Sequence, residues 1–338
     1  MSPLRKMDRA GPIMKRRSFL DVIGCVLATI PSIARLEQPR VYRIGYLNPA
    51  DSEDVGYSSF RRALTDLGYI VGRNTILVER FAEAKLERLP GMAADIVANN
   101  VDLIVAVSPS AIRAARVATA TIPIVMAFSG DDPVKSGFAE TLARPGGNTT
   151  GLTTVTRDLV PKWIEMLRDL IPGLRTIAVL RATGRADHTA QIGVLQDAAD
   201  IHGIRLHVVE VRNADDFAAG FAAIAGTVSQ AVIVLSGPDF TQNRFRLIEL
   251  VTHYRLPSLY QYAEFVKIGG LVSYGPDIAD LSSRAAGYVD KILRGANPAA
   301  MPIEQPRKLF LVINRKTASA LGLKVSPALL LQADQVIQ

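Results

Sequence analysis

The chain has 338 residues, of which 49% are hydrophobic and 21% are charged, a composition typical of a folded protein. This length suits two domains of ordinary size. The formal net charge is +7, but residues 1–34 hold six Lys or Arg and two acids, so the remainder carries only +3. Nucleic-acid binding requires basic residues clustered on the folded part. Because no basic run follows residue 34, we expect no nucleic-acid partner.

The first 34 residues are predicted to be a cleavable export signal. The charged stretch Lys15-Arg16-Arg17 precedes a short apolar run, and Ser32-Ile33-Ala34 places small residues where a signal peptidase cleaves. The apolar run, residues 22–30, is far shorter than the ~20 residues needed to span a bilayer. We therefore expect a mature chain that begins near Arg35 and resides in the periplasm.

Three alternatives remain open at this end of the chain. The paired arginines fit a twin-arginine signal and an ordinary secretory signal about equally well. The stretch Val22 to Cys25 resembles a lipoprotein cleavage box, and Met14 is an alternative start. Cys25 is the single cysteine of the chain, so the mature protein is predicted to lack disulfides and Cys-bound metals.

Strand and helix patterns alternate through the rest of the chain. The predicted strands are continuously apolar, as in a parallel sheet covered on both faces. The break Arg144 to Asn148 separates two such α/β series, which predicts two doubly wound parallel-sheet lobes. Strands are predicted at 41–47, 75–80, 101–107, 122–128, 176–180, 204–211, 231–235, 257–260, 270–274 and 309–313. Helices are predicted at 60–67, 86–99, 111–120, 163–170, 191–201, 217–228, 245–254, 278–294 and 315–321.

The turn Ser108-Pro109-Ser110 joins a predicted strand to a predicted helix. Ser108 is predicted to be the N-cap of that helix, and Pro109 suits its first position. The free N–H groups of Ser110 and Ala111 would then attract a carboxylate or phosphate. The alternative is that Ser108 merely caps its own helix.

Polar residues follow several predicted strands. In doubly wound sheets a ligand binds beyond the carboxyl ends of the strands, and between two lobes it would lie in the cleft. Hydroxyls, amides, carboxylates and tyrosines are groups that bind a small zwitterion. The predicted ligand-binding residues are Asn48, Ser108, Ser110, Ser129, Asp132, Arg181, Asp239, Tyr260 and Tyr274.

The sequence shows no recognisable catalytic motif. A dinucleotide-binding glycine fingerprint, a Walker-type loop and a serine-nucleophile elbow are all missing. The four histidines lack zinc-site spacing and are expected at the surface or in last helical turns. The pair Asp131-Asp132 fits a helix cap or an ammonium partner better than an acid–base catalyst. We therefore expect no enzymatic activity, no cofactor and no metal.

Several ordered motifs carry a resemblance to a known family. They include SSFRRALTDLGYIVGRN at 58–74, TIPIVMAFSGDDPVKSGF at 121–138, LARPGGNTTG at 142–151, LPSLYQYAEFVKIGGLVSYGPD at 256–277 and FLVINRKTASALGL at 310–323. The sequence resembles the ABC transporter substrate-binding proteins that include tryptophan/tyrosine uptake receptors. These have the type I periplasmic binding protein fold.

The resemblance implies a monomeric periplasmic receptor that closes two hinged lobes on a small solute, an amino acid or an aromatic or carboxylated molecule. It would deliver that solute to an ABC permease with its ATPase, and would meet the membrane only through the permease. The chain would cross between lobes near Thr153, Tyr274 and Gln305, with the helix at 278–294 returning to the first lobe. The implied lobes are 40–153 plus 275–305, and 154–274 plus 306–338.

Two positions depart from the family pattern. Asp131 replaces a usual small residue, and Arg181-Ala182-Thr183 replaces a commoner Asn-Pro turn, so Arg181 would favour a ligand with a second negative charge. A sensor that presents its ligand to a membrane signalling partner is the alternative function. A cytoplasmic regulator would need an N-terminal helix-turn-helix, and an enzyme would need a nucleophile or cofactor loop.

Overall fold

A computed structural model describes residues 40–155 and 159–338, and the predicted export signal lies outside them. The described part is an α/β protein with two separate sheets, which confirms the predicted fold class. Within the same residues, no helix is long and apolar enough to cross a bilayer.

The strands lie close to the ranges that the apolar runs predict. Their bounds are β1 Tyr42–Asn48, β2 Thr75–Phe81, β3 Leu103–Val107, β4 Ile124–Phe128, β5 Thr149–Gly151, β6 Thr176–Ala182, β7 Arg205–Val211, β8 Ala231–Val234, β9 Ser258–Tyr260, β10 Val272–Pro276, β11 Leu309–Asn314 and β12 Gln335–Ile337. The short edge strands β5 and β12 are not predicted from the sequence, because three residues carry too little pattern.

The first sheet has the order β2-β1-β3-β4-β5, and all its strands are parallel. The second has the order β12-β11-β10-β9-β8-β6-β7. In the second sheet β10 and β11 are antiparallel, and the other neighbours are parallel. The prediction of parallel sheets therefore holds except at this one pair.

The helices cover both faces of each sheet. Their bounds are α1 Val55–Asp66, α2 Leu89–Ala98, α3 Ser108–Ala118, α4 Leu159–Leu170, α5 Ala186–Ile201, α6 Phe217–Ala225, α7 Pro238–Gln242, α8 Arg244–His253, α9 Ala263–Lys267, α10 Ile278–Leu293, α11 Arg315–Ala320 and α12 Pro327–Gln332. Helix α1 begins five residues before the predicted range because the Asp54 side chain accepts a hydrogen bond from Tyr57 N at 3.0 Å. The short helices α7, α9 and α12 are not predicted.

Each sheet has an apolar core on either side. On the first sheet, α1 and α10 pack on one face, and α2 and α3 on the other. On the second, α4 and α5 pack on one face, and α6 and α8 on the other. Burial of this apolar surface is the main force holding each layer together. Because α10 packs on the first sheet although β10 and β11 belong to the second, the chain returns to the first sheet late in the sequence.

The stretches that join the two sheets run side by side. Leu152 bridges to Glu304, and Thr153 N donates to Glu304 O at 3.0 Å. Gly151 has φ of +128°, and a Cβ there would lie 2.2 Å from Met126 O, so only glycine fits this close approach. These contacts describe a paired crossing, and the lobe boundaries at 153, 274 and 305 remain a prediction.

The prediction that Ser108 caps α3 is wrong. Helix α3 begins at Ser108 itself, its N-cap is Val107, and no side chain makes a capping hydrogen bond. Ser108 has φ of +72°, in the left-handed region that costs a residue with a Cβ about 1 kcal/mol or more. The sharp turn after β3 forces this conformation, and Pro109 lies in the first helical turn as predicted.

Candidate functional site

A cleft lies between the carboxyl ends of the strands of the two sheets. Its first wall is formed by residues that follow β1, β3 and β4, and its second by residues that follow β6, β8 and β9. Asn48 and Ser108 are the predicted ligand-binding residues among its lining residues.

Asn48, at the end of β1, has a side-chain hydrogen-bond donor without a partner in the first wall. Its side chain is 0% exposed, and its Oδ1 accepts a hydrogen bond from Ala50 N at 2.9 Å. Its Nδ2 has no hydrogen-bond partner of acceptable geometry. The Tyr46 hydroxyl lies near enough for Asn48 to oppose the rise in the pKa of Tyr46 that burial causes. A buried amide without a partner costs free energy, so a ligand acceptor at Nδ2 would stabilise this wall.

The turn at Ser108 supplies hydroxyls and backbone donors to the same wall. Ser108 Oγ lies 3.0 Å from Ser110 Oγ, so one hydroxyl donates to the other. The first N–H groups of an α-helix lack intrahelical partners, and the helix dipole favours an anion there. Helix α3 has 11 residues, long enough for this effect. Ser110 thus adjoins the cleft through Ser108.

An ion pair dominates the second wall. The guanidinium of Arg185 donates to both carboxylate oxygens of Asp187, at 3.1 and 2.5 Å. The side chains are only 16% and 5% exposed. Burial alone would raise the pKa of Asp187, but the charge and hydrogen bonds of Arg185 outweigh it and lower that pKa. Neither residue is predicted from the sequence, because both lie in a loop and helix start without a motif.

His188 lies behind this wall and is 0% exposed. The prediction that the histidines lie at the surface or in last helical turns is therefore wrong for His188. Its Nδ1 accepts a hydrogen bond from Ala182 N at 3.1 Å, and its Nε2 donates to Ser236 O at 2.8 Å. These partners require the neutral ring. Burial, reinforced by Arg185, lowers the pKa of His188 to about 4.

The far end of the cleft is acidic. Asp54 precedes α1, and Glu264 lies on α9; both are half-buried lining residues. Burial, and then repulsion from Asp54, raises the pKa of Glu264 to about 7, and burial also raises the pKa of Asp54. Tyr262 lies beside them and packs against core residues of both sheets. The sequence singles out none of these three, although Tyr262 belongs to a strand-end turn.

Two predicted ligand-binding residues, Ser129 and Asp132, and the intervening Asp131 lie next to the cleft without lining it. Ser129 is fully buried, and its hydroxyl bonds to the backbone of Asp131. Asp132 Oδ1 accepts from Val134 N at 2.9 Å in a turn, and because no helix follows, the expected helix cap is wrong. The Asp131 carboxylate pairs with Arg113 at 2.5 Å. Their contact with a ligand remains a prediction.

The remaining predicted residues belong to the second sheet. Arg181 Nε lies 3.5 Å from a Glu210 oxygen, and Asp239 lines a neighbouring groove together with Arg185. Tyr260 is buried and stacks on Phe265, with ring centroids 4.8 Å apart. Tyr274 O accepts a hydrogen bond from Trp163 Nε1 at 2.8 Å. A role for these four in ligand binding also remains a prediction.

In the part of the chain that the structure describes, no three His, Cys, Asp or Glu residues lie together as a metal would require. The cleft combines neutral donors on its first wall with carboxylates from both walls, Asp54 on the first and Asp187 and Glu264 on the second. Two α/β lobes around such a cleft define the class of two-lobed solute-binding proteins.

Comparison with known proteins shows which family the chain belongs to. Residues 48–337 match the model for ABC transporter substrate binding proteins, so the chain belongs to that family. A curated relative, the tyrosine-binding protein of Clostridioides difficile, is 24% identical over 274 residues, covering 81% of this chain and 78% of the relative.

Solved structures agree on the fold. An ABC domain in complex with L-Trp from Streptococcus pneumoniae superposes with a TM-score of 0.82 at 24% identity, covering 88% of this chain and all of the other. The ligand-free, open structure of a substrate-binding protein with adhesive properties from Clostridium difficile gives 0.64 at 23% identity, with the same coverage. The predicted type I periplasmic binding protein fold is confirmed.

Proposed function

We propose that the protein is a periplasmic receptor that binds a small aromatic amino acid and delivers it to an ABC permease with its ATPase. The observation that carries this proposal is the cleft between the two sheets, with neutral donors on its first wall and free carboxylate charge at its far end. The receptor acts by binding and has no enzymatic activity.

The carboxylate of the ligand is assigned to the first wall. Asn48 Nδ2 offers a buried donor without a partner, and the turn at Ser108 and Ser110 offers hydroxyls beside a helix N-terminus. Hydrogen bonds to a charged group are roughly twice as strong as those between neutral groups. This wall therefore favours an anionic ligand group over a neutral one.

The ammonium and the aromatic ring are assigned to the remaining part of the cleft, which residues of both walls line. Asp54 and Glu264 supply negative charge, whereas the charge of Asp187 is already compensated by Arg185. Phe128 and Tyr262 supply apolar lining between the charged ends. The relatives named for tyrosine and L-Trp support an aromatic amino acid.

The two-lobed arrangement supports a receptor that closes on its ligand. We propose lobes of 40–153 plus 275–305 and 154–274 plus 306–338. Export by the predicted signal at 1–34 would bring this receptor to the periplasm, where it would act as a monomer.

A ligand panel tests the proposal. Thermal shift and calorimetry of the purified protein should show binding of L-Trp or L-Tyr, and ligand at ~100 times Kd should stabilise the folded state by about 2.7 kcal/mol. Tryptamine, which lacks the carboxylate, and indole-3-propionate, which lacks the ammonium, should each bind more weakly than L-Trp. Absence of any shift with all aromatic amino acids would refute the assigned ligand class.

A further inference from the structure

Two carboxylates from different sheets meet at the far end of the cleft. Asp54 belongs to the loop before α1 on the first sheet, and Glu264 to α9 beside the second. Both line the cleft and also the groove that continues it past Arg244 and Phe245. They therefore face the same part of the cleft from the two sheets.

The Glu264 carboxylate has no cation bound to it. Among the described residues, no side-chain hydrogen bond and no ion pair within 4.0 Å engages it. Asp54 uses one oxygen to cap α1. The charged or titratable groups around the pair are Tyr46, Asp51, Glu53, Arg185, Asp187, Arg244, Tyr262 and Lys267, and a groove that Glu264 also lines adds Asp277, Lys308 and Asp334.

The neighbouring cations are directed elsewhere. Arg244 donates to Thr241 O at 3.0 Å and lies 5.0 Å from the centre of the Phe245 ring, and Lys267 is exposed at the end of α9. Repulsion from Asp54 shifts the pKa of Glu264 more than either cation does. Like charges that approach in a partly desolvated site repel more strongly than in water. Bringing the lobes together therefore costs free energy while both groups are ionised.

We propose that Asp54 and Glu264 form a lobe-spanning carboxylate pair that resists closure of the cleft until a cation, either the ammonium of the ligand or a proton, lies between them. This deepens the proposed function and rests on its two closing lobes. The buried Nδ2 of Asn48 in the same cleft independently indicates a ligand. A ligand that carries an ammonium group lowers the cost of closure, and a purely anionic ligand of the same shape does not.

Closure without ligand gives the first test. In the full chain with Cys25→Ser, cysteines introduced at Val117 and Val228, which are 88% and 74% exposed, would carry spin labels on the first-sheet and second-sheet sides. Pulsed electron resonance should show the distance distribution shifting toward its closed end between pH 8.5 and pH 5.5. Glu264→Gln should give the closed distribution at both pH values.

Matched variants separate the pair from other titrating groups. Glu249→Gln changes an exposed glutamate on neighbouring α8 and should keep the pH dependence of the parent. Asp54→Asn retains a capping oxygen for α1 and should act like Glu264→Gln. A distance distribution that is independent of pH, or a pH dependence that survives Glu264→Gln in a variant with an unchanged melting temperature, would overturn the proposal.

Ligand binding gives the second test. Glu264→Gln should weaken L-Trp by about tenfold or more at pH 8 while leaving indole-3-propionate equal or tighter. Equal weakening of both ligands would overturn the assignment of the ammonium. If neither ligand binds the parent, the proposed function fails, and the label distances still decide whether the pair opposes closure.

Discussion

The two walls of the cleft hold their polar groups in opposite ways. On the first wall, Asn48 keeps a buried donor without a partner, and Ser108 stays in a left-handed conformation. On the second, Arg185 and Asp187 satisfy each other, and His188 uses both ring nitrogens on the backbone. The first wall therefore has polar groups that are available to a ligand, whereas the polar groups of the second wall stabilise the wall itself. Glu264 is the exception, because it lies on the second wall without an ion-pair partner.

Removing Asp187 should produce the largest loss of stability. Asp187→Ala leaves the nearly buried charge of Arg185 uncompensated, and breaking a buried ion pair on one side costs about 3–5 kcal/mol. Urea denaturation should show this loss. Glu165→Ala, which breaks an exposed pair with Lys162, should cost at most about 1 kcal/mol. Equal losses in the two variants would show that the second wall does not depend on its buried pair.

Low pH should destabilise the fold at the second wall, because His188 becomes protonated there. Because its pKa falls from 6.5 to about 4 on folding, its contribution is complete above pH 6.5 and is lost as pH falls toward 4. The shift corresponds to roughly 3 kcal/mol. The free energy of unfolding should therefore drop less between pH 7 and 4.5 in His188→Gln than in the parent. Glu264, whose raised pKa acts in the opposite direction, contributes equally to both proteins. Parallel pH curves would contradict this role.

Ser110→Ala should weaken ligand binding without affecting the fold. Loss of a hydrogen bond to a carboxylate costs about 1.5–3 kcal/mol of binding, and the melting temperature without ligand should barely move. Calorimetry with L-Trp and tryptamine completes a double-mutant cycle, since tryptamine lacks the group that Ser110 would contact. Unchanged affinity for L-Trp would show that the turn at Ser108 and Ser110 has only a structural role, as the Arg185–Asp187 pair has in the second wall.

The smallest effect is expected for Ser108→Gly. Glycine adopts positive φ without strain, so stability should stay level or rise by up to about 1 kcal/mol, since no cap is lost. The hydroxyl beside Ser110 is removed, so L-Trp should bind more weakly. Thermal melts and calorimetry separate the two changes. A marked drop in stability would show that the Ser108 hydroxyl supports the turn after all.

The sequence predicts the first wall well because its residues follow their strands directly. Apolar runs place β1 and β3, and the carboxyl ends of parallel strands meet at one edge, so Asn48 and Ser108 can be assigned to a cleft from pattern alone. The local role predicted for Ser108 is wrong, because a preference for N-caps does not reveal the backbone angle that a tight turn imposes.

The second wall was decided by the tertiary structure. Arg185, Asp187 and His188 occupy a loop and helix start whose sequence has no periodicity, and their pairing depends on burial against Ala182 and Ser236. Glu264 lies within a family motif, yet its approach to Asp54 requires α9 and the loop before α1 to come together from two sheets. The sequence by itself determined the two α/β series, the strand ends and the family. Which polar groups pair, which stay free and which face each other across the cleft was decided by packing, because those properties arise from contacts between residues far apart in the chain.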